Sequence, residues 1–197
     1  MPKSRMEAFS DGVIAILITI MVLELRQPAG TDLVALRHLM PVFLAYLLSF
    51  VNLGIYWNNH HHMLHAAHRV NGTVLWANLH LLFWLSLFPF TTAWIGEQVA
   101  ALPTASYGVV ALLAAIAYYL LQNRIVALEG RDSTLARAIG RDRKGRLSPV
   151  LYALAIPVAF WQPWAAIALY VLVALIWLVP DRRVERMLLG AGTQADG

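Results

Sequence analysis

The chain has 197 residues, of which 59% are hydrophobic and 13% are charged, and its mean hydropathy is +0.61; a soluble domain carries about 25% charged residues, so the composition indicates an integral membrane protein. Its formal net charge of +4 would favour a nucleic-acid partner in a soluble protein, but in a chain with no soluble domain we expect none. The sequence contains no cysteine, which excludes disulfide bonds, a thiolate nucleophile and a cysteine metal site.

Apolar blocks that form membrane spans follow one another along the chain, since about 20 helical residues cross the ~30 Å apolar layer of a bilayer. The first span is predicted over 5–25, and Pro28 and Gly30 break the helix after it. Three further spans are predicted over 39–57, 74–95 and 107–121. The last apolar block, 149–179, is predicted either as one long helix or as a hairpin of two short spans, 149–161 and 164–179.

The basic residues decide between five and six spans, because lysine and arginine concentrate on the cytoplasmic side of a membrane. With six spans, all lysines and arginines except Arg26 and Arg37 fall on one side. With five, the cluster of Arg182, Arg183 and Arg186 would lie outside. The sequence therefore predicts an all-α, six-span membrane domain over 1–197 with both termini cytoplasmic. We expect its small, polar tail, 190–197, to be disordered.

The first span begins with polar and charged residues and carries no charge from Gly12 to Leu23. At about 100° per residue, one stripe of side chains lies within about 40° of Ile16: Phe9, Gly12, Ile20, Leu23 and Gln27. Thr19 lies about 60° from Ile16, whereas Ser10 and Asp11 point about 120–140° away. A charged group in a membrane helix turns toward protein or water, so Asp11 is predicted to face one of these. The stripe is compatible with lipid, a packed core or a pore.

Ser10 and Asp11 have two interpretations. As a helix N-cap they would accept hydrogen bonds from the first turn, but the remaining helix would be too short to span a bilayer. If the helix begins at Arg5, both residues lie inside the membrane near its cytoplasmic edge and need partners on other spans. Arg5 lies on another face of the helix, so its pairing with Asp11 would have to cross between helices or subunits. Asn78 and His80 are other candidate partners, and bundle packing accounts for them equally well.

The aliphatic stripe of Ile16, Ile20 and Leu23 is typical of ordinary helix packing. The functional alternative is a dry constriction, because a narrow apolar neck in a pore empties of water. Thr19 would then be the hydroxyl nearest to a passing ion.

A histidine cluster follows the second span: His60, His61, His62, His65 and His68. Spacings of three and four residues put three imidazoles on one helix face, which suits a metal, but the sequence shows no nearby carboxylate. A wet interfacial patch that titrates near neutral pH is the favoured interpretation. No metal, cofactor or catalytic residue is predicted, and a histidine-metal membrane enzyme remains an alternative.

The sequence Arg5-x-x-x-Phe9-Ser10-Asp11 resembles the signature of the transmembrane protein 175 family of potassium channels, which is R-x-x-x-F-S-D at the start of the first span. A polar stretch over 56–61 and the pair Pro89-Phe90 agree with that family. The resemblance extends over about 5–95 and is topological beyond.

The resemblance implies a potassium-selective or potassium-preferring cation channel of a prokaryotic inner (plasma) membrane, assembled as a homotetramer whose first helix lines a central pore. It implies a constriction at Ile16, Ile20 and Leu23 in place of a TVGYG filter. We take Thr19, which lies beside this stripe, as a candidate for selectivity. The resemblance also implies a polar network that positions the pore helix, formed by Arg5, Phe9, Ser10 and Asp11. A proton-coupled secondary transporter and a structural membrane protein remain alternatives.

Overall fold

The computed structural model describes residues 2–130, 136 and 143–178, and every regular element in these ranges is a helix. The described helices are α1 (Lys3–Leu23), α2 (Leu33–His38), α3 (Met40–His65), α4 (Gly72–Leu85), α5 (Phe88–Glu97), α6 (Ala101–Glu129), α7 (Arg143–Trp161) and α8 (Pro163–Leu178). The predicted all-α class is confirmed. The predicted tail, 190–197, and the arginine cluster after α8 lie outside the described residues.

Local sequence explains where several helices begin. The side chains of Asp32 and Asn71 precede α2 and α4 and accept hydrogen bonds from the backbone amides three residues on, at 2.8 and 3.0 Å, which satisfies free donors of the first turn. Pro41 and Pro89 lie in the first turns of α3 and α5, where a missing amide hydrogen costs nothing. Pro89 therefore divides the predicted span 74–95 into α4 and α5.

Contacts at both ends of the bundle show that the first three spans run in alternating directions, α4 and α5 counting as one span. Glu7 near the start of α1 lies 3.3 Å from His61 near the end of α3. At the other end, Arg26 after α1 lies 3.6 Å from Glu97, the last residue of α5. This up-and-down order is the one that short connections between neighbouring helices favour.

Four described stretches are long and apolar enough to cross a membrane: Lys3–Leu23, Met40–His65, Gly72–Glu97 and Ala101–Glu129. The third comprises α4 and α5 together. The helix Pro163–Leu178 is apolar but shorter, and α7 begins in a basic segment. The chain is thus a multi-pass membrane protein.

Two helices extend well beyond the predicted spans. Helix α3 continues to His65, eight residues past the predicted end of the second span at 57. Asparagine and histidine only mildly disfavour a helix, and Asn59 donates a side-chain hydrogen bond to the Ile55 carbonyl at 2.8 Å. Helix α6 likewise exceeds the predicted 107–121 at both ends, because a helix continues past the apolar layer until a residue such as Gly130 ends it.

The last apolar block forms the hairpin and not the single long helix. Helix α7 ends at Trp161 and α8 begins at Pro163. The two helices fold back on each other, since Trp177 near the end of α8 donates to Ser148 Oγ near the start of α7 at 2.7 Å. Small buried residues let these helices approach α6 closely: Ala111, Ala114, Ala117, Ala155, Ala159 and Ala166.

Candidate functional site: helix α1 and its polar anchors

Helix α1 has one buried and one uncovered face. The buried face packs against α3, α4 and α5 and consists of Met6, Ser10, Ile14, Leu17 and Met21. The opposite face carries the predicted stripe, in which Ile16 is 56% exposed, Ile20 is 41% exposed and Leu23 is 78% exposed. A packed core within the chain is therefore excluded for the stripe, and lipid or a pore remains.

Ser10 anchors the buried face of α1 through a chain of hydrogen bonds. Its Oγ donates to the Met6 carbonyl at 2.8 Å and accepts from Asn78 Nδ2 of α4 at 2.9 Å. Asn78 Oδ1 lies 2.8 Å from His60 Nε2 of α3, so this imidazole nitrogen is the donor. All three side chains are buried. Because buried polar groups need partners, these bonds tie α1, α4 and α3 together in one arrangement.

The acidic residues of α1 meet the next turns of α3 at a more exposed edge. Asp11 Oδ1 accepts a hydrogen bond from Trp57 Nε1 at 3.0 Å, and Glu7 contacts His61. The His61 ring stacks between those of Trp57 and His65, with both centroid distances 6.2 Å. Asp11 therefore faces protein, and helix α1 runs through the Ser10-Asp11 pair, so the N-cap interpretation is wrong.

The remaining predicted residues lie apart from this network. Arg5 is exposed, and within the described part of the chain it forms no ion pair. Phe9 is 51% exposed beside the stripe. Thr19 Oγ1 donates back to the Ile16 carbonyl at 2.9 Å. On α4, His80 accepts from Trp84 Nε1 at 2.9 Å on the exposed surface. The structure thus joins Asn78, but not His80, to Ser10.

The prediction of a wet patch is wrong for His60, because its side chain is fully buried. Its Nδ1 is buried without a hydrogen-bond partner among the described residues. A signal was present: continuing the helical period of α3 past Trp57 places His60 on the same face as Ser49 and Leu53.

A second buried polar cluster, which was not predicted, fastens α3, α5 and α6. Thr92 Oγ1 lies 2.6 Å from Ser49 Oγ. Ser49 Oγ and Asn52 Nδ2 both donate to Tyr107 Oη at 3.1 Å. Thr92 Oγ1 also lies 3.9 Å from Met21 Sδ of α1. Ser49, Asn52 and Thr92 interrupt apolar runs, and that is the signal that could have found them.

The histidine cluster divides among separate partners. His60 pairs with Asn78, His61 with Glu7, and His68 Nδ1 lies 2.9 Å from Glu129 Oε2. The expectation that no carboxylate lies near the histidines is wrong, because tertiary packing brings Glu7 and Glu129 to them. Over residues 2–130, 136 and 143–178, no three histidine or acidic side chains are arranged to hold a metal ion.

The fold and this site define a class: multi-pass helical membrane proteins whose first helix is held by buried polar bonds and leaves an aliphatic face uncovered. The sequence model of one family, described as endosomal/lysosomal potassium channel TMEM175, matches residues 5–89. A protein named potassium channel from Chryseobacterium sp. is 53% identical over 189 residues, which cover 95% of this chain and 98% of that relative. The chain belongs to the TMEM175 family.

Two further similarities involve a single organism, Chamaesiphon minutus. Its protein named potassium channel is 30% identical over 187 residues, covering 87% of this chain and 91% of that relative. A crystal structure described as a lysosomal potassium-selective channel TMEM175 homolog from the same organism has a TM-score of 0.78 and 29% identity, and covers 90% of this chain and 96% of that one. The architecture is therefore that of the solved homologue.

Proposed function

We propose that the chain is a potassium channel that passes the ion down its gradient without a chemical step. The observation that carries the proposal is the aliphatic face of α1, which is uncovered although the opposite face is fixed by buried hydrogen bonds. The names of the bacterial relatives support it. A helix held rigidly on one side and bare on the other suits a pore wall, because a wall has to keep its shape while ions pass.

The channel is proposed to be a homotetramer of six-span chains in a prokaryotic inner membrane, with both termini cytoplasmic. Helix α1 packs against its own chain along one face only. Its other face is free to line a central axis together with the α1 helices of three further copies. Helices α7 and α8 are proposed as the fifth and sixth spans. No cofactor, metal or nucleic acid enters this proposal.

The neck of the pore is proposed to consist of Ile16, Ile20 and Leu23, with Thr19 as the nearest hydroxyl. The three side chains stand one turn apart on the uncovered face, and rings of such side chains close a pore to water. Ile16→Asn should hydrate the neck, raise the conductance and weaken the preference for potassium over sodium. Patch recording from fused liposomes measures both quantities, and Leu154→Asn on the exposed face of α7 is the control.

Ion flux into proteoliposomes tests the function itself. Purified protein is reconstituted with a potassium gradient and then with a sodium gradient of equal size. The proposal expects rapid, non-saturating potassium flux that exceeds sodium flux. Saturable flux that requires a proton gradient would instead establish a secondary transporter, and no flux would leave a structural role.

A further inference from the structure

A cavity of about 160 Å³ lies between α3, α6, α7 and α8, away from helix α1. On this measure of volume a single water needs about 10–15 Å³, so the cavity has room for a group of several heavy atoms. Exposed residues, Tyr119 and Asn123 of α6 and Arg146 of α7, lie in its wall. The cavity therefore opens to the surface.

Three polar groups in the wall of this cavity have no hydrogen-bond partner among the described residues: the Gln122 amide and the hydroxyls of Tyr56 and Tyr152. Gln122 is 8% exposed and Tyr152 is 4% exposed. Polar groups that face a cavity take their hydrogen bonds from whatever fills it. Because three such groups converge on one space, an occupant that supplies both donors and acceptors would satisfy all of them.

The mouth of the cavity combines a positive charge with apolar surface. Arg146 contributes its guanidinium, which binds phosphate oxygens in a planar, two-point contact. Leu120 and Leu147, which follow Tyr119 and Arg146 in the sequence, are 40% and 46% exposed on the surfaces of α6 and α7. A soluble anion would gain nothing from these apolar neighbours, whereas a lipid covers them with its chains.

We propose that this cavity binds the headgroup of an anionic phospholipid. The phosphate pairs with Arg146 at the mouth, the hydroxyl and ester oxygens of the headgroup exchange hydrogen bonds with Gln122 and Tyr152, and the acyl chains lie over the exposed turns of α6 and α7. Arg146 belongs to the basic side of the chain, where anionic lipids concentrate opposite lysine and arginine. The site joins α7 and α8 to α3 and α6.

Lipid binding to the full-length protein in a neutral detergent tests the proposal. The probe is dioctanoyl-phosphatidylglycerol, and native mass spectrometry or equilibrium dialysis gives its affinity. We expect Arg146→Gln to weaken binding at least tenfold, and the pair Gln122→Leu with Tyr152→Phe to weaken it several-fold. Arg124→Gln is the matched control, because Arg124 is an exposed arginine near the same end of α6 and does not line the cavity; it should bind as the parent does.

Three results would overturn the proposal. Equal losses in Arg146→Gln and Arg124→Gln would show general attraction to a basic surface. Equal affinity for dioctanoyl-phosphatidylcholine would remove the role of the headgroup charge. Equal affinity for glycerol 3-phosphate, which has no chains, would identify a soluble phosphate as the ligand. Arg146→Lys keeps the charge without the planar fork and serves as the second variant if Arg146→Gln is not recovered folded. The binding assay needs no ion flux, so it is independent of the channel function.

Discussion

At the scale of single residues, α1 is held by neutral hydrogen bonds in an apolar bundle. Asn78 is the centre, because its amide donates to Ser10 and its carbonyl accepts from His60. A buried polar group that loses its partner costs about 1–3 kcal/mol. Removing the Asn78 amide would leave Ser10 on α1 and His60 on α3 without this hydrogen-bond partner.

Asn78→Leu tests this arrangement. We expect the free energy of unfolding to fall by about 2–4 kcal/mol, since the side chains of Ser10 and His60 both lose a partner in the core. His80→Leu on the same helix is the control, and its effect should stay within about 0.5 kcal/mol because His80 is exposed. Denaturant unfolding of the purified protein in detergent measures both. If Asn78→Leu and His80→Leu lowered the free energy of unfolding equally, the buried hydrogen bonds of Asn78 would stabilise the protein no more than an exposed side chain does.

At the scale of helices, the packing of α6 against α8 depends on one glycine. A Cβ at Gly108 would collide with the hydroxyl of Tyr170, and this hydroxyl donates to the Thr104 carbonyl one turn earlier at 3.0 Å. Tyr170 itself is fully buried. The side chain thus fills the space that the missing Cβ leaves and ties the two helices together.

Gly108→Ala should therefore lower the melting temperature, because overpacking a close contact costs about 1–3 kcal/mol. Gly54→Ala in α3 is the matched control: nothing lies within 4 Å of a Cβ at that position. There alanine should be neutral or stabilise by up to about 1 kcal/mol, since it favours the helix more than glycine does. Thermal melts in detergent compare the two, and a Gly108→Ala protein as stable as Gly54→Ala would contradict the packing argument.

The sequence predicts periodic features well and pairings poorly. The helical period of the first span places the stripe opposite Ser10 and Asp11, and the structure has that arrangement because α1 is one uninterrupted helix. The partners of Ser10 and Asp11 depend on how three helices pack, and one sequence carries little information on that. Asn78 and His80 are both polar residues in an apolar span, so the sequence does not distinguish them as partners. The register of α4 decides which of them is buried.

At the scale of the whole molecule, the bond from Trp57 to Asp11 fixes the first half of α1 against α3, and hence the shape of the proposed assembly around the free face of α1. Asp11→Ala removes this bond. We expect the proportion of tetramer or the potassium flux to fall by about two- to tenfold, since a hydrogen bond to a charged group contributes about 1.5–3 kcal/mol when shielded and less when exposed.

Size-exclusion chromatography with light scattering and the liposome flux assay measure the effect of Asp11→Ala. Glu24→Ala is the control, because Glu24 is exposed just beyond the end of α1. Normal tetramers with normal flux in Asp11→Ala would show that the bond is dispensable.

The proposed pore wall can be tested directly because the chain contains no cysteine. Ile16→Cys, placed on the uncovered face of α1, is treated in flux-competent proteoliposomes with a charged, membrane-impermeant methanethiosulfonate reagent, and Phe160→Cys on the exposed surface of α7 is the control. We expect the reagent to modify Ile16→Cys and block potassium flux, and to leave the flux through Phe160→Cys unchanged. Modification of neither, with flux unchanged, would place the stripe against lipid and contradict a pore lined by α1.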